Sequence, residues 1–358
     1  SGILAFWLGI MNIGEHSGFI QLLTRSLAPL FARLMPEVPK DHPALGAISM
    51  NIAANMLGLD NAATPMGIKA MQELQSLNQQ PDTASNPQIL FLVINTSSVT
   101  LFPISIFTYR AQLGAANPTD VFIPILLATY MSTLVGLLAV AWVQKINLLD
   151  KVVMAYLGAI TLAVGGLVAY FAGLDQATML KQSALLSHIS LLTIVSAFLI
   201  AAAYKKLNVY ELFISGAKQG FDTAIHIIPY LIAILVAFGM FRASGALELI
   251  MQAVRILITN LQMDTRFVDA LPTALIKPFS GSGARAMMID TMQTMGADSF
   301  AGRLTAVIQG STETTFYVLA VYFGAVSIHR IRHAAACGLL ADLAGVISAI
   351  FISYWFFG

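Results

Sequence analysis

The chain has 358 residues, 57% hydrophobic and only 10% charged, where soluble domains run near about 45–50% apolar and about 25% charged. With a mean hydropathy of +0.77, its 19 basic and 18 acidic residues cannot cover a water-facing surface, so soluble enzymes are excluded and a membrane protein is implied. A net charge of +1 gives no electrostatic footprint for nucleic acid. The single cysteine, Cys337, rules out an internal disulfide and cysteine-based metal centres.

In chain order, a short apolar segment at 3–16 comes first, with no charged flank or cleavage site; the N-terminus reads as incomplete. Next, 18–35 places Phe19, Leu22, Leu23, Leu27, Leu30, Phe31 and Leu34 on one face, an interfacial amphipathic helix. An interrupted pair follows at 44–78, then spans at 88–110, 120–143, 151–173, 184–204 and 224–243. A second amphipathic segment at 246–263 carries Leu247, Ile250, Met251, Val254, Leu257, Ile258 and Leu261 along its face. A second interrupted pair at 270–297 and spans at 304–324 and 334–357 bring the crossings to eight.

The second half repeats the first. Ser17-Gly18 aligns with Ser244-Gly245, KAMQEL at 69–74 with DTMQTM at 290–295, VINTSSVTLF at 93–102 with VIQGSTETTF at 307–316, and LLAT at 126–129 with LLAD at 339–342. The divisions are a first repeat at 1–145, a connecting segment at 146–183 and a second repeat at 184–358. Five crossings separate the equivalent first spans, and an odd number inverts the second copy. The expected fold is therefore an all-α polytopic membrane protein of two inverted-topology repeats, each with an interfacial helix, a re-entrant helical hairpin and a broken transmembrane helix. Lys145, Lys151, Lys205, Lys206, Lys218, Arg330 and Arg332 share one side with Arg25 and Arg33, against Arg110 and Lys181 opposite. That side is placed in the cytoplasm of a bacterial inner membrane, which puts the C-terminus outside.

Four polar islands interrupt the apolar segments in equivalent repeat positions: GLDNAATP (58–65), NTSS (95–98), FSGSGARA (279–286) and QGSTETT (309–315). In hydrocarbon a helix break survives only where the freed peptide groups meet protein, water or a ligand. Gly58 and Pro65 frame one tip, Pro278, Gly281 and Gly283 the other, and Gly310 the second broken span. The bland role of such hydroxyls is capping or helix glue, but four islands in register favour a binding site. Candidate ligands are Asn55, Asp60, Asn61, Thr64, Asn95, Thr96, Ser97 and Ser98 from the first half, and Ser280, Ser282, Arg285, Gln309, Ser311, Thr312, Glu313 and Thr314 from the second. Asp342, inside the last span, has no partner assignable from sequence. His188, His226, His329 and His333 have no carboxylate or cysteine at ligand spacing, so no metal is expected beyond a sodium ion near Asn55, Asn95 and Ser97. No nucleophile elbow or phosphate loop occurs, and the chain is not expected to be an enzyme.

The string VPKDHPALGAISMNIAANMLGLDNAATPMGIKAMQEL with NTSSVTLFP resembles the spore maturation protein A family. VYELFISGAKQGF, FRASGALE, KPFSGSGA, DSFAGRL and QGSTETTFYVLAVYFG resemble spore maturation protein B. The chain is thus similar to a fusion of the two, a nucleoside-recognition or gate-domain membrane protein. That domain is similar to segments of concentrative nucleoside transporters and of the membrane part of bacterial ferrous-iron transporters, and its element order resembles that of the nucleoside transporters. It implies that the hairpin tips and unwound helices hold solute and sodium. The first tip lacks the Gln-Thr-Glu type sequence of the nucleoside transporters. The expected function is cation-coupled transport, by sodium or protons, of a small polar solute (amino acid, peptide, nucleoside or carboxylate). The alternative is a channel, or a non-transporting component that supports a partner. No other cofactor is expected; the lipid bilayer and further copies in a homo-oligomer are the expected partners.

Overall fold

The computed structural model describes residues 2–58, 60–98, 100–218 and 243–358, with 232, 236, 237 and 239–241; the side chains of 2–4 and 60–62 are outside the description. The segment expected as a span at 224–243 lies almost wholly outside the described residues. Every element described is helical.

Helices α1 (Gly2–Ser17) and α2 (Phe19–Leu34) meet at Gly18, whose φ of 90° is a left-handed conformation that glycine adopts without strain. The same joint recurs at Gly245, φ 75°, ahead of α11 (Ala246–Asn260). In both, the preceding serine donates to the carbonyl three residues back, Ser17 to Gly14 and Ser244 to Phe241, each at 2.7 Å. The expected apolar stripes of these two helices divide. On α2, Ile20, Leu30, Phe31 and Leu34 are buried, whereas Leu22 is 63% exposed. On α11, Leu247 and Met251 are buried with Val254 and Ile258 packed beside them, while Ile250, Leu257 and Leu261 face outward.

The first interrupted pair is a helical hairpin, α3 (Pro43–Met56) and α4 (Asp60–Gln75). Pro43 suits the first helical turn, and the His42 ring caps the Ala44 amide at 3.2 Å. The chain reverses at Gly58, φ 70°, where a Cβ would lie 2.9 Å from the Phe102 carbonyl. The second pair begins with a 3-10 turn (Arg266–Ala270) and α12 (Leu271–Ile276), and returns as α13 (Gly281–Met295).

Both spans expected to carry a polar island are split. The first is α5 (Asn86–Thr96) and α6 (Ile104–Gln112), opened by a capping box between Ser85 and Gln88. The second is α14 (Phe300–Ser311) and α15 (Thr315–Gly324), opened by Ser299. Among the described residues, four uninterrupted helices are long and apolar enough to cross a bilayer: α7 (Phe122–Gln144), α8 (Lys151–Ala172), α9 (Gln176–Tyr204) and α16 (Ala334–Phe357). The chain is a multi-pass membrane protein. A further helix, α10, occupies 209–218. Only Val153 and Phe171 of α8 are buried, so its apolar surface faces outward.

α7 packs along α16 through small residues: a Cβ at Gly136 would lie 3.0 Å from Ala341, and Ser132 donates to the Ala341 carbonyl at 2.9 Å. At one end of this pair the loop after α6 meets the loop before α14, through Arg110, Asp120, Asp298 and Arg303. At the other end the loop after α15 meets the loop before α5: Ala84 N–H donates to Arg330 O, and the His329 and Arg330 amides donate to Asp82 O, each at 2.9 Å. The 23 residues of α7 separate these clasps by about 35 Å. The end of each broken helix therefore lies beside the start of the other, and the two run antiparallel. Arg33, Lys145, Asp150 and His333 gather at the second clasp, whereas the C-terminal Gly358 meets Gln176 beyond the far end of α8.

Candidate functional site

The two hairpin tips and the two helix breaks converge on one cavity of about 610 Å³. Each break is pinned to its own hairpin by a peptide bond donor: Leu101 N–H to Met56 O at 3.0 Å, and Phe316 N–H to Pro278 O at 2.9 Å. A third bond, Glu313 N–H to Thr96 O at 2.8 Å, ties the breaks to each other. Groups freed by unwinding both helices are thus partly matched by one another.

Of the residues singled out in the sequence, Asn55, Thr64, Asn95, Ser98, Arg285, Gln309 and Glu313 line this cavity. On the first side the lining is uncharged. The Asn55 amide donates to Asn95 Oδ1 at 2.9 Å and approaches Asn51 Oδ1 at 3.4 Å, while Asn95 donates to the Phe91 carbonyl at 2.9 Å. Asn51, one helical turn before Asn55, donates to Ala63 O at 2.7 Å and to the Tyr322 hydroxyl at 3.3 Å. This amide chain joins both arms of the first hairpin to α5 and, through Tyr322, to α15. Ser98 sits at φ 53° within the break, 2.9 Å from the Thr100 hydroxyl.

The second side is charged. Lys277, at the end of α12, is 3% exposed and donates its ammonium to the Gln309 carbonyl at 3.0 Å. Arg285 stacks its guanidinium over the Tyr109 ring, 5.8 Å from the centroid. Glu313 is exposed on the break and lines the cavity. Gln309 Oε1 and Thr312 Oγ1 are buried with no hydrogen-bond partner among the described residues. Asp342, without an assignable partner in sequence, accepts from the Thr315 hydroxyl at 2.7 Å.

The remaining candidates are placed differently. Thr96, Ser97 and Ser311 turn their hydroxyls onto the carbonyls of Val93, Ile94 and Ile308, each at 2.9 Å, and so finish helix ends. Ser280 caps α13 by accepting from Gly283 N–H at 3.0 Å, with the Ser282 hydroxyl 3.3 Å away. Thr314 is buried against the second tip, where a Cβ on Gly281 would lie 2.7 Å from its hydroxyl. The side chains of Asp60 and Asn61 lie outside the described residues. Sequence reasoning missed Asn51, Lys277, Tyr109 and Tyr322. For Lys277 a signal existed, since a lysine directly before the Pro278 break stands in an apolar run.

The nucleoside-recognition Gate family model matches residues 1–116 and 224–329, the segments holding both hairpins and both breaks. Spore maturation protein B of Bacillus subtilis (strain 168) is 46% identical over 160 residues, covering 45% of this chain and 88% of that protein. Spore maturation protein A of the same organism is 45% identical over 130 residues, covering 36% of this chain and 66% of that protein. No solved structure matches. With the family model covering more than half of its length, the chain belongs to the nucleoside-recognition Gate family.

Proposed function

We propose that the chain is a secondary transporter, coupled to sodium or protons, that moves a small polar solute across the inner membrane of a bacterium by alternating access. The observation that carries this reading is the convergence of two hairpin tips and two helix breaks on one cavity, where apolar walls carry the amides of Asn55 and Asn95 and the charges of Arg285 and Glu313. Broken helices at membrane depth are stable where they line such a site. The antiparallel run of the broken helices supports reading the halves as inverted repeats, with the hairpins re-entrant from opposite faces. The end that gathers Arg33 and Lys145 is assigned to the cytoplasm, which sets Gly358 outside. Asn55 Oδ1 and the Ser98 hydroxyl are oxygens suited to sodium, whereas Glu313 suits proton coupling.

The test is uptake by the purified full chain in proteoliposomes, with labelled amino acids, dipeptides, nucleosides and carboxylates offered under an inward sodium or proton gradient. The expected result is saturable uptake driven by one gradient and accelerated by unlabelled solute inside. Asn95→Ala and Glu313→Gln should each lower it at least about tenfold, the loss of about one charge-assisted hydrogen bond. Non-saturating conduction would identify a channel instead, and no uptake of any solute would remove the transporter reading.

A further inference from the structure

The second side of the cavity holds its charges in two layers. The inner layer is engaged by the protein: Lys277, which also lines the cavity, is held on the Gln309 carbonyl at 3.0 Å, and one oxygen of Asp342 accepts from Thr315 at 2.7 Å. Asp342 does not line the cavity. The outer layer is Arg285 on α13 and Glu313 at the α14–α15 break, both of which do. Neither makes an ion pair among the described residues. Among the described residues, the guanidinium of Arg285 meets the Tyr109 ring, 5.8 Å from its centroid. Beside Glu313 in the same lining, Gln309 Oε1 is a buried acceptor with no donor among the described residues. Beside Lys277, whose ammonium is already held on a carbonyl, the cavity therefore offers one cation with no hydrogen-bonded acceptor among the described residues, Arg285, and, separately, a carboxylate reinforced by a carbonyl oxygen.

Once a bound solute excludes water from the cavity, each of these charges needs a counterpart. An uncharged nucleoside leaves both unmatched. A dicarboxylate satisfies Arg285 but sets its second negative charge against Glu313. A solute with one ammonium and one carboxylate matches each charge and adds no net charge. We propose, resting on the transporter reading above, that the cavity selects a zwitterion of the amino-acid or short-peptide class, its carboxylate on Arg285 and its ammonium on Glu313 and Gln309. The volume of about 610 Å³ falls within the roughly 300–1,000 Å³ usual for small-molecule sites, which leaves room for a side chain or a second residue.

The test measures binding to the purified full chain by calorimetry. The probes are the twenty amino acids, alanyl-alanine, N-acetyl-alanyl-alanine, alanyl-alanine amide, succinate and uridine. The expected result is binding of alanyl-alanine or an amino acid, with the acetylated and amidated forms of that ligand each at least tenfold weaker. Arg285→Gln should bring the amide level with the parent compound, and Glu313→Gln should do the same for the acetylated form. These crossed recoveries distinguish charge recognition from a folding defect, which would weaken every probe alike. Equal binding of the capped forms, or binding of uridine or succinate without a zwitterion, overturns the proposal and leaves the transporter reading standing. Absence of binding by every probe also overturns it, and only if proteoliposome uptake is absent too does the transporter reading fall with it.

Discussion

Replacing Arg110 with methionine should destabilise the folded chain by about 3–5 kcal/mol, the loss expected when one partner of a buried ion pair is removed. The Arg110 side chain is 0% exposed and spends itself completely. Its Nε donates to Pro118 O at 3.1 Å, Nη1 to Ala297 O at 2.7 Å, and Nη2 to Asp120 at 2.9 Å, Asp298 at 3.1 Å and Asn117 O at 3.3 Å. Without it Asp120, 2% exposed, keeps among the described residues only Arg303 at 2.9 Å, and three carbonyls lose a donor. Asp298 is 35% exposed and can hydrate, so Asp298→Asn should cost no more than about 1 kcal/mol. The pair Arg110→Met with Asp120→Leu should recover part of the loss, because it removes the stranded charge as well. Equilibrium unfolding in mixed micelles, followed by the fluorescence of Trp7, Trp142 and Trp355, measures each difference. A loss below about 1 kcal/mol for Arg110→Met, with the double variant no more stable than the single, would refute the reasoning. The second clasp is built from backbone bonds, and its ion pair, Arg330 with Asp82 at 3.6 Å, has side chains 76% and 54% exposed. Arg330→Ala should therefore change stability by less than about 1 kcal/mol.

A Cβ at Gly67 would fall 2.2 Å from the Tyr322 hydroxyl and 2.4 Å from its ring, so Gly67→Ala should cost about 1–3 kcal/mol in the same unfolding assay. Gly158→Ala, with nothing within 4 Å, is the matched control and should be neutral or stabilising. At the start of α9 the hydroxyl and amide of Thr178 hold Asp175 below the usual carboxylate range. A lowered folded value means stability that is full above about pH 4 and is lost as pH falls through that value. Asp175→Ala should accordingly flatten the acid limb of the unfolding midpoint measured against pH, and an unchanged limb would show that the cap is idle.

The fold was legible where the sequence broke its own apolar rule. Gly18 and Gly245, the islands at 95–98 and 309–315, and the hairpin tips all appear where proline, glycine and clustered hydroxyls interrupt hydrocarbon-compatible runs. Position along the chain does not reveal which way a hydroxyl turns. Thr96, Ser97 and Ser311 bond backwards to their own helix, as side chains of this type do when no better acceptor is near. Contacts made by folding were also hidden. Asn51 reaches Tyr322 across 271 residues and Arg110 reaches Asp298 across 188, and nothing in the local pattern of either residue announces that partner. The amphipathic stripes were half legible: periodicity located the apolar face of α11, but Leu247 with Met251 turn inward and Leu257 with Leu261 outward because the neighbouring elements cover only one edge.

Alternating access is tested most directly by a single reporter cysteine at Thr64, a cavity-lining position, in a background where the buried Cys337 is alanine. A membrane-impermeant maleimide is applied to right-side-out and to inside-out vesicles, with sodium or potassium and over a range of pH. Alternating access predicts that Thr64→Cys labels from both faces, and that the cation speeding labelling from one face slows it from the other. Labelling from one face only, or equal acceleration from both, would contradict a carrier built around this cavity.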